Sequence, residues 1–228
     1  MKTFSVILPV YNAEETLALC LSSLTAQTFA DYEIIAVDDG STDASPAMLQ
    51  AFAAAHPCLR VLTQHNQGQS VARNRAIREA EGEWLVFVDA DDYVDTNYLQ
   101  RLSDLLQQAQ IGQADVVQLQ GAYYHATAPW TRLLRRAWIT TNAITFPEEM
   151  RAYEDVIFSL QLWAKRPRHV AVPAEGYHYT VCETSNSRSA ANAQREQLYR
   201  AILRGNGAPL WLRLYTFIRI YSHFLKTP

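Results

Sequence analysis

Short apolar runs alternate along the first half of the chain with longer stretches whose apolar positions recur every three or four residues. Thr3–Val10, Glu33–Val37, Leu59–Thr63, Trp84–Val88 and Asp115–Gln120 are short and rich in β-branched and aromatic residues, the pattern of strands buried on both faces. Glu14–Ala26 places Leu17, Cys20, Leu21 and Leu24 at helical spacing. Helices are predicted over Ala44–Ala55 behind the capping residue Asp43, from the capping residue Ser70 to about Ala80, and from Asp95 to about Gln110. Pro9 cannot donate to a ladder, so the first strand should end there or lie at an edge. This strand–helix alternation implies an α/β domain with a mainly parallel central sheet and helices on both faces.

Beyond Gly121 the pattern loosens. Trp130–Trp138 is basic and aromatic, and Thr145–Met150 is a turn region around Pro147. Glu154–Ala164 is helical, His169–Val172 and Tyr177–Thr180 read as short strands, and Glu183–Ala193 as a polar loop. C-terminal helices are expected over Gln194–Leu203 and Pro209–Leu225. The expected organisation is one domain over 1–190, with a nucleotide-binding part to about 120 and an acceptor-side part after it. A helical tail over 191–228 follows. In that tail Arg213, Thr216, Arg219, Ser222 or His223, and Lys226 form one polar stripe on an otherwise aromatic and aliphatic helix. Such a helix suits an anionic membrane surface over residues 209–226, or docking on the domain or a partner.

Charge sharpens the division. The 228 residues carry a net charge of −3, yet from Arg195 onward six Lys and Arg face one Glu. A basic tail on an acidic body points to an anionic partner for the tail alone, and no nucleic-acid partner is expected. The three cysteines are widely spaced, as reduced thiols would be. No run is long enough to span a bilayer, and the first residues enter a strand without a signal-peptide core. The expected location is cytoplasmic, peripheral to the membrane if the tail binds lipid.

The chemistry collects where strands end, which is where open α/β sheets bind ligands. Trp84–Val88 runs straight into Asp89-Ala90-Asp91-Asp92. Clustered carboxylates repel, and a hard divalent cation, Mg²⁺ or Mn²⁺, relieves that repulsion. Asp89 and Asp91 read as metal or donor ligands, Asp92 and Asp95 as a solvated turn and a helix cap. Tyr11-Asn12 and Asp38-Asp39 close two other strands, where a ring and a carboxylate suit a nucleobase. Arg73, early in a helix where the dipole disfavours a cation, calls for an anionic partner: a pyrophosphate or an acidic loop. Glu154-Asp155 opens a helix, where acids are favoured in any case; the functional reading is a general base. Of the six histidines only His178 invites attention. Phosphate-binding P-loop, dinucleotide and nucleophile-elbow motifs are absent.

Taken in order, Ser5-Val6-Ile7-Leu8-Pro9-Val10-Tyr11-Asn12, Gln27-Thr28, Val37–Asp43, Asn66-Gln67-Gly68, Ala72-Arg73-Asn74, Asp89-Ala90-Asp91-Asp92 and Tyr153-Glu154-Asp155 resemble the motif set of family 2 glycosyltransferases over about residues 3–190. The resemblance implies a GT-A fold and a nucleotide-diphosphate sugar donor, most often a UDP-sugar. It implies that Pro9, Val10, Tyr11 and Asn12 line the nucleoside pocket and that Asp39 holds the base edge. Arg73 would contact the nucleotide or its phosphates, Asp89 the ribose, and Asp91 the metal. Asp155 would be the catalytic base of an inverting transfer, with Glu154 supporting it or touching the acceptor. Ser187 and Arg188 fall in a segment that can close over the donor. The acceptor would be a glycan or lipid-linked glycan, of the kind assembled into capsule or lipopolysaccharide. The competing reading is a non-catalytic nucleotide-sugar-binding subunit of a glycan assembly complex.

Overall fold

The computed structural model describes residues 2–120 and 127–180. The tail over 191–228, its predicted helices, and Ser187 and Arg188 lie outside the described residues. Strands β1 (Phe4–Val10), β2 (Tyr32–Asp38), β3 (Leu59–Thr63) and β4 (Trp84–Phe87) alternate with helices α1 (Leu17–Thr25), α2 (Ser45–Ala55) and α3 (Gln69–Glu79). Then come β5 (Tyr93–Val94), α4 (Tyr98–Leu106), β6 (Val116–Gln120), β7 (Arg132–Arg135), α5 (Arg136–Thr141), α6 (Glu154–Ala164), β8 (His169–Pro173) and β9 (Tyr177–His178). One sheet has the order β3-β2-β1-β4-β7-β6-β8, and β5 pairs with β9 in a small second sheet. Only β7 runs against the others in the large sheet, so the mainly parallel expectation holds.

The pleat explains why both faces of the sheet are covered. Phe4, Val6, Leu8 and Val10 of β1 point to one side and pack with Leu17, Leu21 and Leu24 of α1, Leu49 of α2, and Tyr98, Leu99 and Leu102 of α4. Ile7, Ile35, Val37, Leu85 and Phe87 point to the other and meet Ala72, Ala76 and Ile77 of α3, Ile139 of α5, and Phe158 and Leu162 of α6. Each of these buried Val, Leu, Ile and Phe side chains contributes about 1.5–3 kcal/mol by leaving water.

Several local expectations are corrected. β1 does not stop at Pro9, which sits opposite Val37 in the middle of the sheet. Val10 O accepts from Asp39 N on the β2 side, and Ile7 O accepts from Val88 N on the β4 side. The nitrogen of Pro9 therefore faces β4 beyond its last paired residue, where the missing donor costs no ladder bond. Helix α1 begins at Leu17 instead of Glu14, and α4 ends at Leu106 instead of Gln110. Ser70 does not cap α3: that place belongs to Gly68 (φ 97°), and the buried Ser70 hydroxyl has no hydrogen-bond partner among the described residues. Asp95 offers α4 only its backbone carbonyl, to Tyr98 N. Its carboxylate pairs with His178 Nε2 at 2.7 Å and Arg101 Nη1 at 3.3 Å. The antiparallel β7 was not foreseen, because its Arg-Leu-Leu-Arg sequence does not alternate.

Candidate active site

Parallel strands β2, β1 and β4 end on the same edge of the sheet, and their exits build the site. At the end of β1, Tyr11 is 45% exposed, a ring open to stacking. Pro9 is buried, and the Val10 side chain lies in the core. Asn12 takes a left-handed conformation (φ 47°). Its Oδ1 accepts from Thr42 N at 2.8 Å, and its own N–H donates to Ser41 Oγ at 3.0 Å. Asn12 thus ties the exit of β1 to the exit of β2. Asp39 holds the next loop: Oδ1 accepts from Gln64 Nε2 and Gln67 N, both at 2.8 Å, and Oδ2 accepts from Gly68 N at 2.7 Å. Glycine is required at 68, because φ is positive and the Arg151 guanidinium fills the space of a Cβ.

Arg73, only 3% exposed, joins two acidic segments. Nη2 donates to Asp89 Oδ1 at 2.7 Å and Nη1 to Glu154 Oε1 at 3.1 Å. The guanidinium lies 5.2 Å from the Phe146 ring centroid. Burial opposes its charge, but Asp89 and Glu154 outweigh burial and keep the cation more firmly protonated than usual. The acidic segments around Asp89 and Glu154 supply the anionic partner that its place in the helix calls for. Gln69, with its amide turned to satisfy both neighbours, accepts from Arg73 Nη2 at 2.8 Å and donates to Glu154 Oε1 at 3.2 Å. Burial pushes the Glu154 carboxyl up despite the pull of Arg73.

Asp91 is half-buried, and among the described residues no other side chain donates a hydrogen bond to its carboxylate, which meets only its own backbone N–H. Burial, then the charge of Asp89, pushes it up. No group of three or more His, Cys, Asp or Glu among the described residues is placed to hold a metal ion. A hard cation often takes only one or two carboxylates and draws further ligands from substrate phosphates and water, and an Asp91 carboxylate engaged by no other side chain fits that arrangement.

Asp92 is not a solvated turn. It is 1% exposed and accepts from Tyr177 Oη at 2.5 Å and Thr180 N at 2.8 Å. Burial pushes its carboxyl up to about 7. Tyr177 also accepts from Asp89 N at 3.4 Å and stacks on Trp130 at 4.8 Å. Asp92 therefore pins the β9 segment under the Asp89 loop. His178, paired with Asp95, stacks on Tyr93 at 4.5 Å.

Asp155 sits in the first turn of α6, directly after Tyr153 in a left-handed conformation (φ 63°). Its Oδ2 accepts from Thr127 Oγ1 at 2.6 Å. Arg132 is 1% exposed, with Nε donating to Gln118 Oε1 at 3.0 Å and Nη1 to Ser159 Oγ at 2.9 Å. Sequence reasoning missed Gln69, Thr127 and Tyr177 and misread Asp92. Asp92 carried a signal in the acidic cluster after β4, and Tyr177 one as the neighbour of His178.

Residues 5–164 match the model of glycosyl transferase family 2, and the chain belongs to that family. It is 31% identical over 224 residues to a poly(ribitol-phosphate) beta-glucosyltransferase of Bacillus spizizenii, covering 87% of this chain and 35% of the relative. It is 28% identical to the Staphylococcus aureus poly(ribitol-phosphate) beta-N-acetylglucosaminyltransferase TarS, covering 89% of this chain and 39% of TarS. The chain thus spans little more than a third of the length of these relatives. Residues 1–349 of TarS in complex with UDP-GlcNAc superpose with a TM-score of 0.77 at 27% identity, covering 89% of this chain and 64% of the other. A mannosyltransferase of Pyrobaculum calidifontis shares the fold at 19% identity and a TM-score of 0.72. The domain has the GT-A architecture.

Proposed function

We propose that this chain is the catalytic domain of an inverting glycosyltransferase. It moves a sugar from a UDP-sugar to a hydroxyl of a surface glycan or lipid-linked glycan. The observation that carries the reading is the Arg73 bridge: one buried guanidinium holds the Asp89 loop against the first turn of α6, where Asp155 stands. The UDP-GlcNAc complex of TarS supports the donor class, and the poly(ribitol-phosphate) relatives support a polymeric surface acceptor. Tyr11 stacks on the base, and Asp39, with acceptor capacity left on Oδ2, accepts a hydrogen bond from the base-edge N–H. Asp155 takes the proton of the acceptor hydroxyl. The oxygen attacks the anomeric carbon, and the bond to the diphosphate breaks with its electron pair leaving on UDP. Attack opposite the leaving group inverts the anomeric centre. A divalent ion, Mg²⁺ or Mn²⁺, would be held by Asp91 and would supply positive charge for the leaving diphosphate.

The test is release of UDP from UDP-glucose and UDP-GlcNAc in Mn²⁺, with and without ribitol-phosphate polymer, by wild type and Asp155→Asn. Asp155→Asn is expected to bind UDP as wild type does and to lose turnover by about 10²-fold or more. Full turnover in that variant would remove Asp155 from the role of base. UDP binding without turnover in wild type would favour the donor-binding subunit.

A further inference from the structure

We propose that Thr127 is a positioning residue for Asp155: its hydroxyl fixes Oδ2 of the carboxylate and leaves Oδ1 to face the acceptor. The inference rests on the reading of Asp155 as the base. Thr127 lies outside every motif of the sequence analysis, yet it is 5% exposed and grips α6 at two points one turn apart. Its Oγ1 donates to Asp155 Oδ2 at 2.6 Å, and its carbonyl oxygen accepts from Ser159 Oγ at 3.1 Å. Asp155 and Ser159 stand four apart, on the same face of the helix.

Thr127 is itself held from behind. Arg132 Nη1 donates to Ser159 Oγ at 2.9 Å and to Thr127 O at 3.4 Å. Arg132 Nε donates to Gln118 Oε1 at 3.0 Å, and Gln118 Nε2 donates to Thr131 O at 2.8 Å. This buried chain runs from β6 through β7 to α6 and ends on one carboxylate oxygen. A carboxylate in a first helical turn is free to rotate about its last torsion, and rotation moves both oxygens together. Fixing Oδ2 fixes Oδ1, which carries no hydrogen bond among the described residues. A misplacement of the base by about 1 Å can cost on the order of a hundredfold in rate.

The test compares Thr127→Val, which keeps the shape and removes the donor, with Thr127→Ser, which keeps the donor, and uses Asp155→Asn as reference. Release of UDP from UDP-GlcNAc in Mn²⁺ reads the chemistry, calorimetric titration of UDP reads the donor site, and crystal structures of both Thr127 variants read the Asp155 side chain. In Thr127→Val, kcat is expected to fall about tenfold or more while KM for the donor and UDP affinity stay within about twofold. Asp155 leaves its position in that variant, and Thr127→Ser restores both kcat and position. Wild-type kcat in Thr127→Val, or an unmoved Asp155, overturns the inference. So does a parallel loss of kcat and UDP affinity in both Thr127 variants, which marks a role in folding alone. If Asp155→Asn turns over like wild type, or wild type releases no UDP, the reading of Asp155 as base fails first. None of the Thr127 outcomes produces either pattern.

Discussion

Arg73 shows how one residue can tie together separate parts of a site. Its two terminal amino groups are committed to Asp89 and Glu154, 16 and 81 residues away in sequence. A lysine would keep the charge but lose the planar fork that spans two carboxylates. Removing the cation leaves two largely buried acids facing each other, and stripping one partner from a buried pair costs about 3 kcal/mol or more. Arg73→Ala is therefore expected to lower the urea midpoint by that order of stability, with Arg73→Lys between it and wild type. An Arg73→Ala midpoint equal to that of wild type would show that the bridge contributes no net stability. The sequence carried half of this. A cation early in a helix signalled an acidic partner, but nothing local said that there were two.

At the scale of elements, β6 and β8 are fastened at their start by a clamp between Asp115 and Arg168. Arg168 N and Nε donate to Asp115 Oδ2 at 2.9 and 3.1 Å, and Nη2 donates to Oδ1 at 2.9 Å. These hydrogen bonds, chiefly the side-chain ones, hold the Asp115 carboxyl below its ordinary value of 3.8. A carboxylate depressed in the folded state stabilises at pH above its unfolded value, and that stability is lost as pH falls through the folded value. Asp115→Asn should thus be less stable than wild type at pH 7, and the gap should narrow below about pH 4. Urea midpoints at pH 7 and pH 3 decide it, and a gap of equal size at both would refute the linkage. The guanidinium is two-thirds exposed, so solvent screening keeps the effect small. The long apolar strands and amphipathic helices were legible because burial on a regular element leaves a period in the chain. β7 was not. Its two arginines are satisfied by contacts far away, Arg132 by Gln118 and Ser159, and Arg135 by Glu83 and the face of Trp84. Helix ends drifted for the same reason: Asp95 and Ser70 look like caps locally, while tertiary partners or plain burial decide where they go.

Across the whole molecule, the site exists only where separate parts meet. Tyr11, Asp39 and Asp91 arrive on three strand exits, while Asp155 arrives on α6 from the far side of the sheet. The motif order made the residues recognisable, but their convergence depends on Arg73, Asp92 and Thr127, whose partners lie far off in sequence. A donor bound across these parts must stabilise the fold as a unit, because the unfolded chain has no such site. At a concentration of UDP about a hundred times its Kd the gain is about 2.7 kcal/mol, which for a domain of this size raises Tm by roughly 5–10 °C. We expect that shift in thermal unfolding with UDP and Mn²⁺, a smaller one with UDP and EDTA, and none with Mn²⁺ alone. Asp155→Asn should keep the full shift, since the proposed base would touch the acceptor and not the nucleotide. Asp91→Ala should keep only the EDTA-sized part, since it removes the carboxylate assigned to the cation. Equal shifts with Mn²⁺ and EDTA in wild type would mean that nucleotide and metal do not share a site. The diphosphate charge would then have to be met by the protein's own cations, with Arg151 beside Gly68 the first to substitute.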